Sequence, residues 1–298
     1  MRRYARQLQL TICAVIFMSF FGACKAKVEP LPAKLFAPSG KGYAEKADFA
    51  RLEHEKPLTA ADRMTLTPEN IKIATQEQVD QIYARLTAGP IPDGSYDGQM
   101  FFPVGNSSNT RLAEIVGGGF KGALVNFKVA KIETLGEIAW KGKVFYKNER
   151  VLRNRIEDLA IFKPLLGQDV GSIQKQKVDG KETWLLFPAK LYCGQSLLDG
   201  RRESVIIDYA FTDDVPGYRE KPDALVGRDG LAVRDEIRMV RPGFYLGRAY
   251  MKKAFILNFM LYNKGVAEKG QAAFKAGGTV EEDCYVGLQH TTALAHKG

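Results

Sequence analysis

The spacing of apolar positions changes rhythm along the chain. A near-continuous apolar run from Leu10 to Phe21 comes first, and it follows three arginines, Arg2, Arg3 and Arg6. Residues 24–45 then combine three prolines with lysines and small residues and hold no period, which reads as a tether. Residues 46–90 carry helical signals. In TPENIKIATQEQVDQIYARLTAG, Thr67 before Pro68 is a cap-like start, Val79, Ile82, Tyr83 and Leu86 share one face, and Gly89-Pro90 ends the pattern.

Beyond Pro92 short segments alternate with turn residues, and strands become the expectation. They are SYDGQMFF, AWKGKVFY, VLRNRI, IQKQKV, ETWLLF, ESVIIDYAF, VRDEIRMV, FYLGRAYM and AFILNFMLYN. Asp179-Gly180 is the strongest hairpin signal, Lys147-Asn148-Glu149 supplies another turn, and Pro242-Gly243 and Lys252-Lys253 separate the last three strands. The segment 109–138 fits both periods and is read as helix. The fold expected is mainly β, a single antiparallel barrel or strongly curved sheet over 91–264, with the helical segment before it and a C-terminal tail over 265–298.

The N-terminal pattern, with its basic start, short apolar run and small residues, has the layout of a secretory signal over residues 1–23. The run is shorter than the roughly 20 residues of a membrane span, and no later stretch of that length lacks charges, so the mature chain is expected to have no transmembrane helix. Phe21-Gly22-Ala23-Cys24 resembles the lipobox of bacterial lipoproteins, with Phe21 where leucine is usual. That resemblance implies lipidation of Cys24 by palmitate-type chains and a cell-envelope location. Lys25, rather than aspartate, after the cysteine favours the periplasmic face of the outer membrane.

Composition narrows the picture further. Hydrophobic residues make up 45% and charged residues 26% of the 298, which is ordinary for a globular chain and excludes disorder and multi-span membrane classes. The net charge of +9 falls to +6 without residues 1–23, and no run of five like charges occurs, so the surplus reads as solvated surface and nucleic acid is not an expected partner. Of four cysteines, Cys13 lies in the signal and Cys24 is the lipid acceptor. Cys193 and Cys284 remain, as a disulfide or as two buried thiols.

Chemistry is sparse. Three histidines and no CxxC spacing give no metal or triad pattern, and no cofactor is expected. Gly117-Gly118-Gly119 lacks the Lys-Ser or Lys-Thr pair of a phosphate loop. Asp213, Asp214 and Asp229, in the long connection 212–230, do not have calcium-loop spacing.

What stands out is polar residues on apolar strand faces. Arg248 shares its face with Phe244, Leu246 and Tyr250; Asn258 shares its face with Ile256, Met260 and Tyr262; Asp208 interrupts ESVIIDYAF beside Tyr209. Asp208, Tyr209, Arg248, Tyr250, Asn258 and Tyr262 are therefore the expected ligand-binding set inside the barrel, with internal ion pairs as the alternative.

The order PDGSYDG, AWKGKVF, IIDYAF and VRDEIRMVRPGFYLGR, over roughly residues 76–263, is similar to the bacterial GxWxG-motif proteins of unknown function, whose small barrels look like those of lipocalins. Tyr96 stands where the motif has tryptophan. The resemblance implies a β-barrel with an apolar cavity and brings no catalytic residues. The expected function is a lipid-anchored protein that binds or carries an apolar or amphipathic small molecule at the envelope. Two alternatives stay open: an interaction protein, such as an inhibitor or assembly factor with a protein partner, and an envelope enzyme using Asp208, Asp235 or Glu236.

Overall fold

A computed structural model describes residues 28–40, 43–102, 139–159 and 171–295. Residues 1–23, expected as a signal, Cys24, and residues 109–138, expected as helix, lie outside these residues. Among the described residues, no helix is long and apolar enough to cross a membrane.

Among the described residues, nine strands form the body: β1 Gly94–Phe101, β2 Trp140–Tyr146, β3 Val151–Ile156, β4 Gln176–Val178, β5 Lys181–Gln195, β6 Glu203–Asp208, β7 Val233–Arg241, β8 Phe244–Met251 and β9 Ala254–Tyr262. All pair antiparallel with sequence neighbours, β1 pairs with β9, and β3 pairs with β5, so eight strands close into a barrel from which the short β4 hairpin projects. Closure leaves no barrel edge to protect. The alternative of an open curved sheet is thereby settled in favour of the barrel.

Local chemistry explains the corners. Asp179 and Gly180 both have positive φ, 48° and 80°, as a two-residue hairpin turn requires. β5 runs on through Pro188, whereas the sequence pattern ends the strand at Phe187. A bulge makes this possible: Leu152 pairs with Ala189 and Asn154 with Leu186, so Phe187 and Pro188 together face Arg153. Gly142 has φ 135° and lies so close to β1 that a Cβ there would sit 2.0 Å from the Tyr96 carbonyl oxygen.

The helices are α1 Phe49–Glu55, α2 Ala60–Thr65, α3 Pro68–Lys72, α4 Gln76–Arg85, α5 Glu220–Asp223, α6 Lys264–Lys275 and α7 Leu288–Ala295. Capping boxes at Thr59/Asp62, Thr67/Asn70 and Thr75/Gln78 start three successive helices. Val79, Ile82, Tyr83 and Leu86 of the α4 region are buried with Leu66 and Ile71 against Val240, Phe244, Leu246 and Met260. Those four belong to the outer face of β7, β8 and β9. The barrel interior holds a separate core that includes Tyr96, Phe145, Leu152, Leu186, Ile207, Ile237, Tyr245 and Phe259.

Two sequence boundaries shift. Leu31, Leu35 and Phe36 are buried among the helices, so the packed body begins before residue 46, because isolated apolar residues between prolines pack without any period. After residue 264 the chain forms α6 and α7 rather than a featureless tail. The stretch between them is joined to β5 by the Cys193–Cys284 disulfide, with Sγ atoms 2.09 Å apart. It also covers one end of the barrel: Glu282 accepts from Gly89 N and Asp283 from Ile91 N, each at 2.7 Å.

α7 docks on α1 through a buried ionic cluster. Glu53 on α1 pairs with Arg202 and Arg201, and His290 Nδ1 lies 2.9 Å from its Oε1. Burial pushes the Glu53 carboxyl up, but His290 and Arg202 outweigh it and bring its pKa down to about 2. A depressed carboxylate stabilises the fold above its unfolded value, and that stability is lost as pH falls from about 4.5 to about 2. The contribution is roughly 3 kcal/mol. Glu53→Gln should flatten this part of the acid-unfolding curve; equal acid sensitivity of parent and variant would contradict the assignment.

Candidate functional site

Near one end of the barrel, where β1, β3, β6 and β8 finish and β2, β7 and β9 begin, the interior opens into a cavity of about 270 Å³. Its wall is largely apolar, with Met100, Ile156, Phe187, Val233, Leu257 and Phe259 among its residues. Leu225 and Val226, from the long β6–β7 connection, also line it. That connection is a packed structure: Asp213 pairs with Arg228, Asp214 with Lys190, and buried Asp223 accepts from Phe187 N and Arg219 N. Its aspartates are thus matched to basic side chains and backbone donors.

The volume lies just below the range of roughly 300–1,000 Å³ usual for ligand pockets, which suits one acyl chain or one ring system. Gly247 supports this geometry, since a Cβ there would overlap the Phe259 ring at 2.3 Å.

Four polar side chains meet in the wall. Lys143 Nζ donates to Asn154 Oδ1 at 2.9 Å, Tyr209 Oη at 2.7 Å and Asp235 Oδ2 at 3.0 Å. Asn154 is held in turn by Trp140 Nε1, 2.9 Å from its Oδ1, and donates from Nδ2 to the Phe187 carbonyl at 3.0 Å. The Lys143 ammonium lies 5.4 Å from the Phe259 ring centroid and 5.6 Å from that of Trp140.

Electrostatics here are those of a buried pair. Burial disfavours the Lys143 ammonium, but Tyr209 and Asp235 outweigh it and raise its pKa, so lysine stays charged. Burial raises the Asp235 carboxyl, with Lys143 opposing the shift. Burial pushes the Tyr209 phenol up to about 12, so it remains a neutral donor.

Of the six residues expected inside the barrel, Tyr209 alone lines this cavity. Arg248, Tyr250 and Asn258 are buried on the opposite, outer face. Arg248 pairs with Asp80 of α4 and donates from Nε to Tyr250 Oη at 2.9 Å; Asn258 Nδ2 donates to Gln76 Oε1 at 3.0 Å. Asp208, also outward, accepts from Tyr192 Oη at 2.7 Å, and Tyr262 is 37% exposed. The expectation that these five line the lumen is corrected. Helices cover β7 to β9, so both strand faces are apolar and alternation alone does not say which is inside.

Lys143 and Asn154 carry the same signal and are not among the expected site residues, and Asp235 is named above only for the enzyme alternative. Each is the polar member of an apolar alternation: Lys143 with Phe145, Asn154 between Leu152 and Ile156, Asp235 between Val233 and Ile237. The same rule that singled out Arg248 finds them.

One group of metal-type ligands exists among the described residues, Cys193, Glu203 and Cys284, and the disulfide engages both of its sulfurs.

No family model matches the chain, and no curated protein matches it. It is similar to a protein of solved structure from Thermomonospora curvata at 18% identity and a TM-score of 0.32, covering 64% of this chain and 89% of that one. Nothing about function follows from a likeness at that level.

Proposed function

We propose that this chain is an envelope lipoprotein, anchored through Cys24, whose barrel holds one small apolar or amphipathic molecule. The observation that carries the reading is the apolar cavity with, among the described residues, one cluster of polar side chains, Lys143, Asn154, Tyr209 and Asp235, in its wall. Apolar walls supply affinity in proportion to area removed from water, and a few fixed polar groups orient the ligand.

The enzyme alternative receives less support. Of its three candidate carboxylates, Asp235 alone lines the cavity, while Asp208 and Glu236 lie on the outer face, where Glu236 accepts from Leu197 N at 2.8 Å. Among the described residues, no second carboxylate faces Asp235 in the cavity wall.

The test is a titration of the purified full chain with N-phenyl-1-naphthylamine, a neutral dye that brightens in apolar surroundings. The parent should bind about one dye per chain, and Ala249→Phe, which places a ring in the cavity wall, should weaken binding at least tenfold or so. Undiminished dye binding by a folded Ala249→Phe chain would overturn the reading.

A further inference from the structure

The hydrogen-bonding atoms of the cavity wall can be accounted for individually. Lys143 has three N–H groups, and all are engaged, by Asn154, Tyr209 and Asp235. Asn154 accepts from Trp140 and Lys143 and donates to the Phe187 carbonyl and to Tyr209, which fills its amide. The Tyr209 hydroxyl accepts from Lys143 and Asn154 and donates to Asp235 Oδ2 at 3.4 Å. The Trp140 indole N–H is taken by Asn154. Among the described residues one side-chain oxygen of the wall is left without a hydrogen bond, Asp235 Oδ1, because Lys143 and Tyr209 both bond this carboxylate at Oδ2.

We infer that the cavity selects a neutral molecule with a hydroxyl head group, an alcohol attached to one apolar chain or ring, over the matching carboxylate or ammonium. The inference rests on the cavity-binding reading above and deepens it by naming the head group.

Two physical facts point the same way. A carboxylate oxygen only accepts, so Asp235 Oδ1 calls for a donor, and a bare carboxylate has none to offer. The charges of Lys143 and Asp235 already offset one another, their side chains being 3% and 7% exposed, so a further charge of either sign would be buried uncompensated. An anionic head would also meet the Asp235 carboxylate, and a cationic head would crowd the Lys143 ammonium. A hydroxyl satisfies the open acceptor and adds no charge.

The experiment uses the purified full chain at pH 8 and measures displacement of N-phenyl-1-naphthylamine by decan-1-ol, decanoate and decylamine, three probes of equal chain length. Decan-1-ol should compete at least about tenfold more tightly than either charged probe. In Asp235→Asn the lysine charge loses its counterion, and the order should invert, with decanoate ahead of decan-1-ol. A parent chain that takes decanoate as tightly as decan-1-ol would overturn the head-group inference while leaving the cavity-binding reading standing. Failure of every probe and of the dye would overturn both. If Asp235→Asn does not melt cooperatively, the comparison of probes on the parent chain decides alone.

Discussion

Arg248→Met is expected to cost about 3 kcal/mol of stability and to leave dye binding in the barrel unchanged. Arg248 is 3% exposed and holds Asp80, Tyr250 and the Phe255 ring, whose centroid lies 4.1 Å from the guanidinium carbon. Burial works against its charge, yet Asp80 and Tyr250 raise its pKa, so it stays ionised. Removing one partner of a buried pair typically costs about 3–5 kcal/mol because the other charge is stranded. The lower end applies here, since the Asp80 side chain is 17% exposed and can reach water. Thermal or urea melting reads the stability, and dye titration of the folded variant reads the site. A stable variant that no longer binds the dye would return Arg248 to the ligand site and refute its outward placement.

The disulfide carries the second large effect. Cys193 and Cys284 close a loop of 91 positions, for which loop-closure entropy of the unfolded chain predicts about 4 to 5 kcal/mol. The crosslink also fastens the segment whose Glu282 and Asp283 bind the backbone over one end of the barrel. The double variant Cys193→Ser, Cys284→Ser should lose much of that stability, and reduction of the parent should reproduce the loss. Labelling of both thiols in denatured, unreduced protein would show that the crosslink does not form.

Much of the architecture was legible in the sequence because it is written in local chemistry. The cap at Thr67-Pro68, the face made by Val79, Ile82, Tyr83 and Leu86, and the Asp179-Gly180 turn depend on neighbouring residues, and the structure has each of them. The second half of β5 was missed because Pro188 ordinarily ends a strand, and the bulge that accommodates it depends on Asn154 and Leu186 pairing across the sheet. Such a pairing joins residues distant in sequence and leaves no local trace.

The site was legible as a rule and misassigned as a place. A polar residue within an apolar alternation marks a position that must find a partner, and that held for Arg248 and Asn258 as well as for Lys143 and Asp235. Which face became the lumen depended on the α4 layer covering β7 to β9 from outside. Nothing in the strands themselves records that layer. The partner of Arg248 likewise came from Asp80, on a helix 168 positions away.

The barrel interior is proposed to hold one ligand, with its head at Asp235. A crystal structure of the full chain with decan-1-ol tests it most directly. One alcohol is expected between Met100, Leu257 and Phe259, with its hydroxyl within hydrogen-bond distance of Asp235 Oδ1. An alcohol bound instead against the outer face near Arg248, or a barrel that excludes it at saturating concentration, would refute binding in the lumen.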